Sequence, residues 1–302
     1  MKRFFKLTIV FLVILFIASL LLDVIYTTVI SNSSERNKVE NVIHTTNKKY
    51  DVIFMGTSRA NNHFVTKVFE DKGFKAFNYG MSGAHLFETS LLLKLMIANK
   101  YEIKNLVLEA DLSICNEKRD EGTTARFMPY IHGNEIIKNH YKNEADFYQI
   151  YYLPFYRFIK FDNKIGFREL YDVVSKKSTN ALHNKGYYPL ISKKKGNMKN
   201  DISSLKVIRN KYYEEIKQIC KQNNIKLTVV MTPMCANTKG LNYFDKVHQL
   251  YPEIHNFENV ITDDAYFASC GHLNDEGARI YTKRIIKELF EVQKKINRNF
   301  NE

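Results

Sequence analysis

The sequence predicts an α/β fold: a three-layer α/β/α sandwich around a central parallel sheet, preceded by one N-terminal transmembrane helix. Three observations predict it. Short apolar runs at residues 52–55, 76–79, 106–110 and 227–231 are near-continuous rather than alternating, as expected of strands covered on both faces. Helical patterns alternate with them, among them 86–98, 204–222 and a closing one at 275–295, the order that βαβ connections produce. The chain has 302 residues, 45% of them hydrophobic, enough to bury one large core without help from disulfides. Residues 260–262 are a candidate last strand.

The first element is the membrane helix. Lys2, Arg3 and Lys6 precede an apolar run, residues 7–22, that contains no ionisable side chain and resumes at 24–30. At about 1.5 Å per residue this run is long enough to cross the hydrocarbon core. The basic flank stays cytoplasmic, which puts everything after Ile30 outside. No Ala-x-Ala site ends the run, and Asp23-Val-Ile-Tyr-Thr-Thr-Val-Ile30 extends it, so it reads as an uncleaved anchor rather than a cleaved signal peptide. A polar juxtamembrane linker, 31–48, follows, and the globular domain runs from 49 to 302.

Within that domain residues 116–200 break the alternation. They are dense in Tyr, Phe, Lys and Arg and read as an insertion packed at the sheet edge. Aromatic and basic residues so interleaved can stack on sugars or lie on a bilayer, but more often form the core and solvated faces of ordinary helices. Residues 193–199 read as an exposed loop. The formal net charge is +13, a field that favours anionic surroundings, yet no nucleic-acid-binding signature is present. The cysteines at 115, 220, 235 and 270 show no Cys-x-x-Cys spacing, so neither a zinc site nor a redox pair is indicated. Outside the membrane two of them could form a bridge, and the sequence does not select which. His63, His85, His132 and His272 have no metal-ligand spacing either, and no cofactor is expected.

The chemistry concentrates at two ends. Asp51-Val-Ile-Phe-Met-Gly-Thr-Ser-Arg59 is a strand pattern ending in Gly-Thr-Ser, and a helix beginning at Arg59 would set the Ser58 hydroxyl at a positive dipole end facing the crevice beyond the sheet. Thr57 or Ser58 could instead simply cap the helix. A second strand ends in Gly80-Met-Ser-Gly83, where a glycine N–H can approach an oxyanion closely; Gly83 is the preferred donor, and Gly80 serves the turn. In Gly271-His-Leu-Asn-Asp-Glu-Gly-Ala278, His272 is the candidate base, and Asn274 a helix N-cap that would aim it. Arg59, His85 and Asn274 are candidates to line the substrate crevice.

Together these residues resemble the SGNH, or GDSL-like, hydrolase superfamily, especially its membrane-anchored members associated with cell-envelope polysaccharide acylation. The resemblance covers most of residues 51–290 outside the insertion. Gly56-Thr-Ser58 looks like the family's first block, Met81-Ser-Gly83 like its second, and Gly271-His-Leu-Asn274 like its fifth. The resemblance implies an SGNH-hydrolase or flavodoxin-like sheet, Ser58 as nucleophile, His272 as general base, and the Ser58 and Gly83 N–H groups as oxyanion donors. Two departures stand out. The family's third-block Asn is missing from Leu106-Val-Leu-Glu-Ala-Asp-Leu-Ser113, where Ser113 could donate weakly and an ionised Asp111 could not. The acid expected three residues before the histidine is Ser269, leaving Asp263, Asp264 or a backbone carbonyl as substitutes, or a bare Ser–His dyad.

The expected function is therefore an extracytoplasmic serine esterase or O-acetyltransferase acting on a surface glycan. Its partners would be an acylated glycan or acyl donor, the membrane, and a membrane-bound acyltransferase. The alternative is a catalytically degenerate scaffold that binds glycan or such an acyltransferase.

Overall fold

The computed structural model describes residues 1–191 and 196–291; the expected extension of the last helix to residue 295 and residues 193–195 of the lysine loop lie outside them. The chain divides into two compact units, residues 1–44 with 121–179, and residues 45–120 with 180–302.

The second unit is α/β, and its centre is a five-stranded, all-parallel sheet. Its strands are β1 (Lys49–Met55), β2 (Ala76–Asn78), β3 (Glu102–Glu109), β4 (Lys226–Met231) and β5 (His255–Asn256), in the order β2-β1-β3-β4-β5. Helices Leu86–Ala98, Lys211–Gln222 and Asp275–Ile285 flank it. β1 and β3 end in fully buried residues, which explains why their sequences do not alternate. Phe54 of β1 stacks on Phe64 at 4.8 Å between ring centroids and meets Phe69 edge-on at 5.0 Å. Val107, Val230, Phe257 and Tyr281 complete this core.

Two expectations shift. The last strand is His255–Asn256, pairing with Met231 through Asn256, rather than residues 260–262. The predicted 204–222 helix begins only at Lys211, because the side chain of Asn210 accepts the N–H groups of Tyr212 and Tyr213 and so starts the helix there.

The first unit begins with the 30-residue helix Lys2–Ser31, long and apolar enough to cross a membrane. Helix Phe167–Val174 packs with it, and Lys38–His44, inside the stretch read as linker, packs on helix Glu121–Phe127 with its Val39 and Val42 fully buried. Asp23 is the first ionisable residue after the apolar run, and it is not left bare. It accepts a hydrogen bond from Arg157 Nη2 at 2.8 Å and from the Phe155 N–H at 2.8 Å. Further along, Arg36 forks onto Glu169, at 2.6 and 3.0 Å. Helix Phe167–Val174 turns its acids inward to this arginine, and its Phe167, Tyr171 and Val174 are exposed.

Candidate active site

The turn before Ser58 is shaped by a glycine that no other residue could replace. Gly56 leaves β1 with φ +137°, and a Cβ there would stand 2.6 Å from the Glu109 carbonyl oxygen of β3. Thr57 then caps helix Ser58–His63, its Oγ1 accepting the Arg59 N–H at 3.1 Å. The same threonine donates its N–H and hydroxyl to Glu109 Oε2, at 2.8 and 2.7 Å. With the capping role taken by Thr57, the hydroxyl of half-buried Ser58 is free for another partner. That partner is His272: Ser58 Oγ lies 2.8 Å from His272 Nε2.

His272 sits on a small antiparallel ladder of Phe267–Ser269 with His272–Leu273, turned at Gly271 with φ +85°. The ladder is fixed from two sides. His63, the last residue of the nucleophile helix, is fully buried, and its Nε2 accepts the Leu273 N–H at 3.0 Å. Burial first, then the charge of Arg59 and the neighbouring His272, holds the His63 pKa well below its usual value. A neutral ring is what an acceptor nitrogen needs. On the other side a Cys235–Cys270 disulfide staples the ladder to the segment after β4. One short helix thus carries the Ser58 hydroxyl at its start and, at its end, the histidine that holds the His272–Leu273 strand.

Burial also lowers the pKa of His272, helped by Arg59 and opposed by Asp111. The imidazole is therefore neutral near pH 7, the form that can take a proton. Its Nδ1 faces no carboxylate among the described residues. The group there is Ser269 Oγ at 3.5 Å, a long contact. Asp263 is engaged elsewhere, capping Asp264–Tyr266 through the Ala265 N–H at 2.8 Å. Asp264 approaches Asn237 instead, at 3.5 Å. Neither substitutes for the missing acid.

The second loop lies against the nucleophile helix. A Cβ on Gly80 would be 2.5 Å from the Asn61 N, and Asn78 donates to the Ala60 and Phe64 carbonyls at 2.8 and 3.0 Å. Asn78 Oδ1 also takes the Gly80 N–H, so Gly80 serves the turn. Exposed Gly83, at φ +89°, presents an N–H that no acceptor among the described residues takes, and the Ser58 N–H is likewise open. Ser113 offers no such open donor, being 2% exposed with its hydroxyl sealed from solvent.

The three residues expected to line the crevice have structural duties. Arg59 is 3% exposed. It donates to the Thr232 and Pro233 carbonyls at 2.6 and 2.9 Å and pairs with Asp111 at 3.3 Å. Asn274 is used at both ends of its amide, accepting the Gly277 N–H and donating to the Ala265 carbonyl. Half-buried His85 starts helix Leu86–Ala98 with its N–H on Glu88 at 2.9 Å, and its ring touches neither Ser58 nor His272 among the described residues.

Glu109, Asp111 and His63 hold these turns and were not singled out for these roles from sequence, whereas Ser269 stands where the sequence put it, in the position of the absent acid. Residues 187–189, within the expected insertion, also belong here: the Tyr188 carbonyl accepts from Asn62 at 2.7 Å and its N–H donates to the Asn61 carbonyl at 3.0 Å. Among the described residues no three His, Cys, Asp or Glu side chains are placed to hold a metal ion.

No protein-family model matches the chain, and no curated protein matches it. Among matching solved structures is one described as "The structure of a putative platelet activating factor from Streptococcus pneumonia", 12% identical, covering 94% of this chain and 99% of that one at a TM-score of 0.38. At that score the likeness carries no argument about activity, which rests on the geometry alone.

Proposed function

We propose that this protein is a membrane-anchored serine acyl-ester enzyme of the SGNH type, an esterase or O-acetyltransferase that works outside the cytoplasm on a surface glycan. The observation that carries the reading is the 2.8 Å contact between Ser58 Oγ and His272 Nε2, from residues 214 apart in sequence. In this mechanism His272 Nε2 takes the hydroxyl proton as Ser58 Oγ attacks the ester carbonyl. The Ser58 and Gly83 N–H groups receive the oxyanion. Collapse expels the alcohol, which leaves with the proton from His272, and the acyl group stays on Ser58. Water then releases acid, or a sugar hydroxyl accepts the acyl group, by the same steps in reverse.

The extracytoplasmic placement is supported by Lys2, Arg3 and Lys6 before the apolar helix and by the disulfide, which persists in oxidising surroundings. Asp23 also argues that the helix is retained. Its removal with a signal peptide would leave Arg157, 1% exposed, without its ion-pair partner. The acylated glycan, its acyl donor and a membrane-bound acyltransferase are the partners this reading calls for.

A non-catalytic scaffold is the second reading, favoured by the lack of a carboxylate at His272 Nδ1. Half-buried Ser58 and exposed Gly83 count against it, since both remain reachable from solvent. The test is turnover of an acetyl ester, then of acetylated glycans with and without a sugar acceptor, by the full chain in detergent. Ser58→Ala should reduce the rate by at least about a thousandfold with an unchanged melting temperature. Undiminished activity in that variant would remove the nucleophile assignment, and an inert parent protein would favour the scaffold.

A further inference from the structure

We propose that helices Phe147–Tyr152 and Tyr156–Lys160 rest in the headgroup layer of the bilayer, with Tyr148, Tyr152, Leu153 and Ile159 directed to its acyl chains. This rests on reading Lys2–Ser31 as a retained anchor.

The four side chains are 71, 64, 51 and 64% exposed, although each helix has a properly buried side in Phe147, Ile150, Arg157 and Phe158. Tyr148 and Tyr152, four residues apart on one helix face, bring their rings to within 5.9 Å. An outward cluster of this kind needs a cover other than water, and tyrosine with leucine and isoleucine suits the boundary between headgroups and hydrocarbon.

Asp23 sets the height. Residues 7–22 contain no ionisable side chain and rise about 24 Å as a helix, so with Phe4 and Phe5 they account for most of a hydrocarbon core roughly 30 Å thick. The first charge beyond them belongs at the outer boundary. Asp23 binds the Phe155 N–H and Arg157, and Thr27 accepts from Arg157 at 2.7 Å. These bonds hold the turn between the two helices, Leu153 included, level with that boundary. The adjoining anchor face is also bare, with Val24 62% and Ile25 50% exposed. The cluster therefore continues the lipid-facing surface of the span, which favours lipid over a second protein as its cover.

The chain contains no tryptophan, so one introduced indole reports its own surroundings. Full-length Leu15→Trp and Tyr152→Trp would be reconstituted in phosphatidylcholine–phosphatidylglycerol vesicles made with lipids brominated near the headgroup or near the chain end. Leu15→Trp should be quenched best by the deep bromines. Tyr152→Trp should be blue-shifted and lose roughly half its emission to the shallow ones. Ile159→Trp, the second variant, should behave like Tyr152→Trp. Water-like, unquenched emission at 152 and 159 beside a quenched Leu15→Trp overturns the proposal and leaves the anchor intact. Loss of quenching at all three positions overturns the anchor as well. A blue shift that grows with protein-to-lipid ratio, without bromine quenching, assigns the face to a second copy of the chain and equally overturns the proposal.

Discussion

Ser269 Oγ stands 3.5 Å from His272 Nδ1, on the opposite side of the ring from Ser58. A hydroxyl at that distance orients the imidazole only weakly and offers no charge to the imidazolium that the proposed attack would form. A carboxylate there would do both. Ser269→Asp should raise kcat about tenfold, and the carboxylate should lift the depressed His272 pKa, moving the acid limb of the pH profile to higher pH. Ser269→Ala should cost no more than about threefold. Profiles of kcat/KM against pH for the three proteins check this, and a slower Ser269→Asp enzyme would refute it.

The pH dependence of activity follows from His272 itself. Its pKa lies below the ordinary 6.5, through burial first and Arg59 second. The base is deprotonated through the neutral range, so kcat/KM should be flat from about pH 7 upward and fall in acid, with its inflection below 6.5. An inflection above 7 would place another group in control.

Stability has a different profile. As pH falls below 6.5 the unfolded chain takes up a proton that buried His63 refuses, so it binds more protons than the folded state and acid destabilises. Glu88 and Glu109 act in the opposite direction. Burial raises both to about 8 from an ordinary 4.5, aided at Glu109 by Asp111. Between those values the folded state holds protons that the unfolded chain releases, so their contribution is full below 4.5 and is lost as pH rises through about 8. Between 4.5 and 6.5 the two carboxyls outweigh the one histidine, so the melting temperature should be highest near pH 4.5 and decline as pH rises toward 8, which calorimetry across pH 4 to 9 will read. Glu109→Gln should flatten the alkaline decline.

Arg59 tests the support beneath the nucleophile. Both it and Asp111 are buried, at 3.3 Å, so Arg59→Met leaves Asp111 as an unpaired buried charge and should cost about 3 to 5 kcal/mol. Chemical denaturation gives the value. Arg59→Met combined with Asp111→Asn should recover part of the loss. A single variant within 1 kcal/mol of the parent, the size of an exposed ion pair, would show that the pair contributes little.

The Cys235–Cys270 bridge spans 35 residues and ends two positions before the base. Replacing both cysteines with serine should lower stability by roughly 2 to 4 kcal/mol. It should also reduce kcat more than it raises KM, because the loosened strand carries His272 rather than a substrate contact. A variant that melts earlier but turns over at the parental rate would limit the bridge to a stabilising role.

Periodicity made the framework legible. The apolar runs of β1, β2, β3 and β4 have no polar face, and only a sheet buried on both sides uses such segments; the 16 uncharged residues from Leu7 to Leu22 are equally explicit. Gly56, Ser58, Gly83 and His272 stood out because turns at strand ends need particular residues. His255–Asn256 was missed because two residues show no period, and Asn210 started its helix late through a side-chain cap that periodicity cannot reveal. Long-range partners have no local signature at all. That Arg59 pairs with Asp111, that His63 holds the Leu273 N–H, and that Cys235 rather than Cys115 or Cys220 meets Cys270 were decided only when segments distant in sequence were laid side by side. The sequence by itself determined most of the elements and singled out the Ser58 hydroxyl and the His272 imidazole, because local backbone preferences act over a few residues. The tertiary structure alone decided which charges neutralise one another, because that depends on distances across the core.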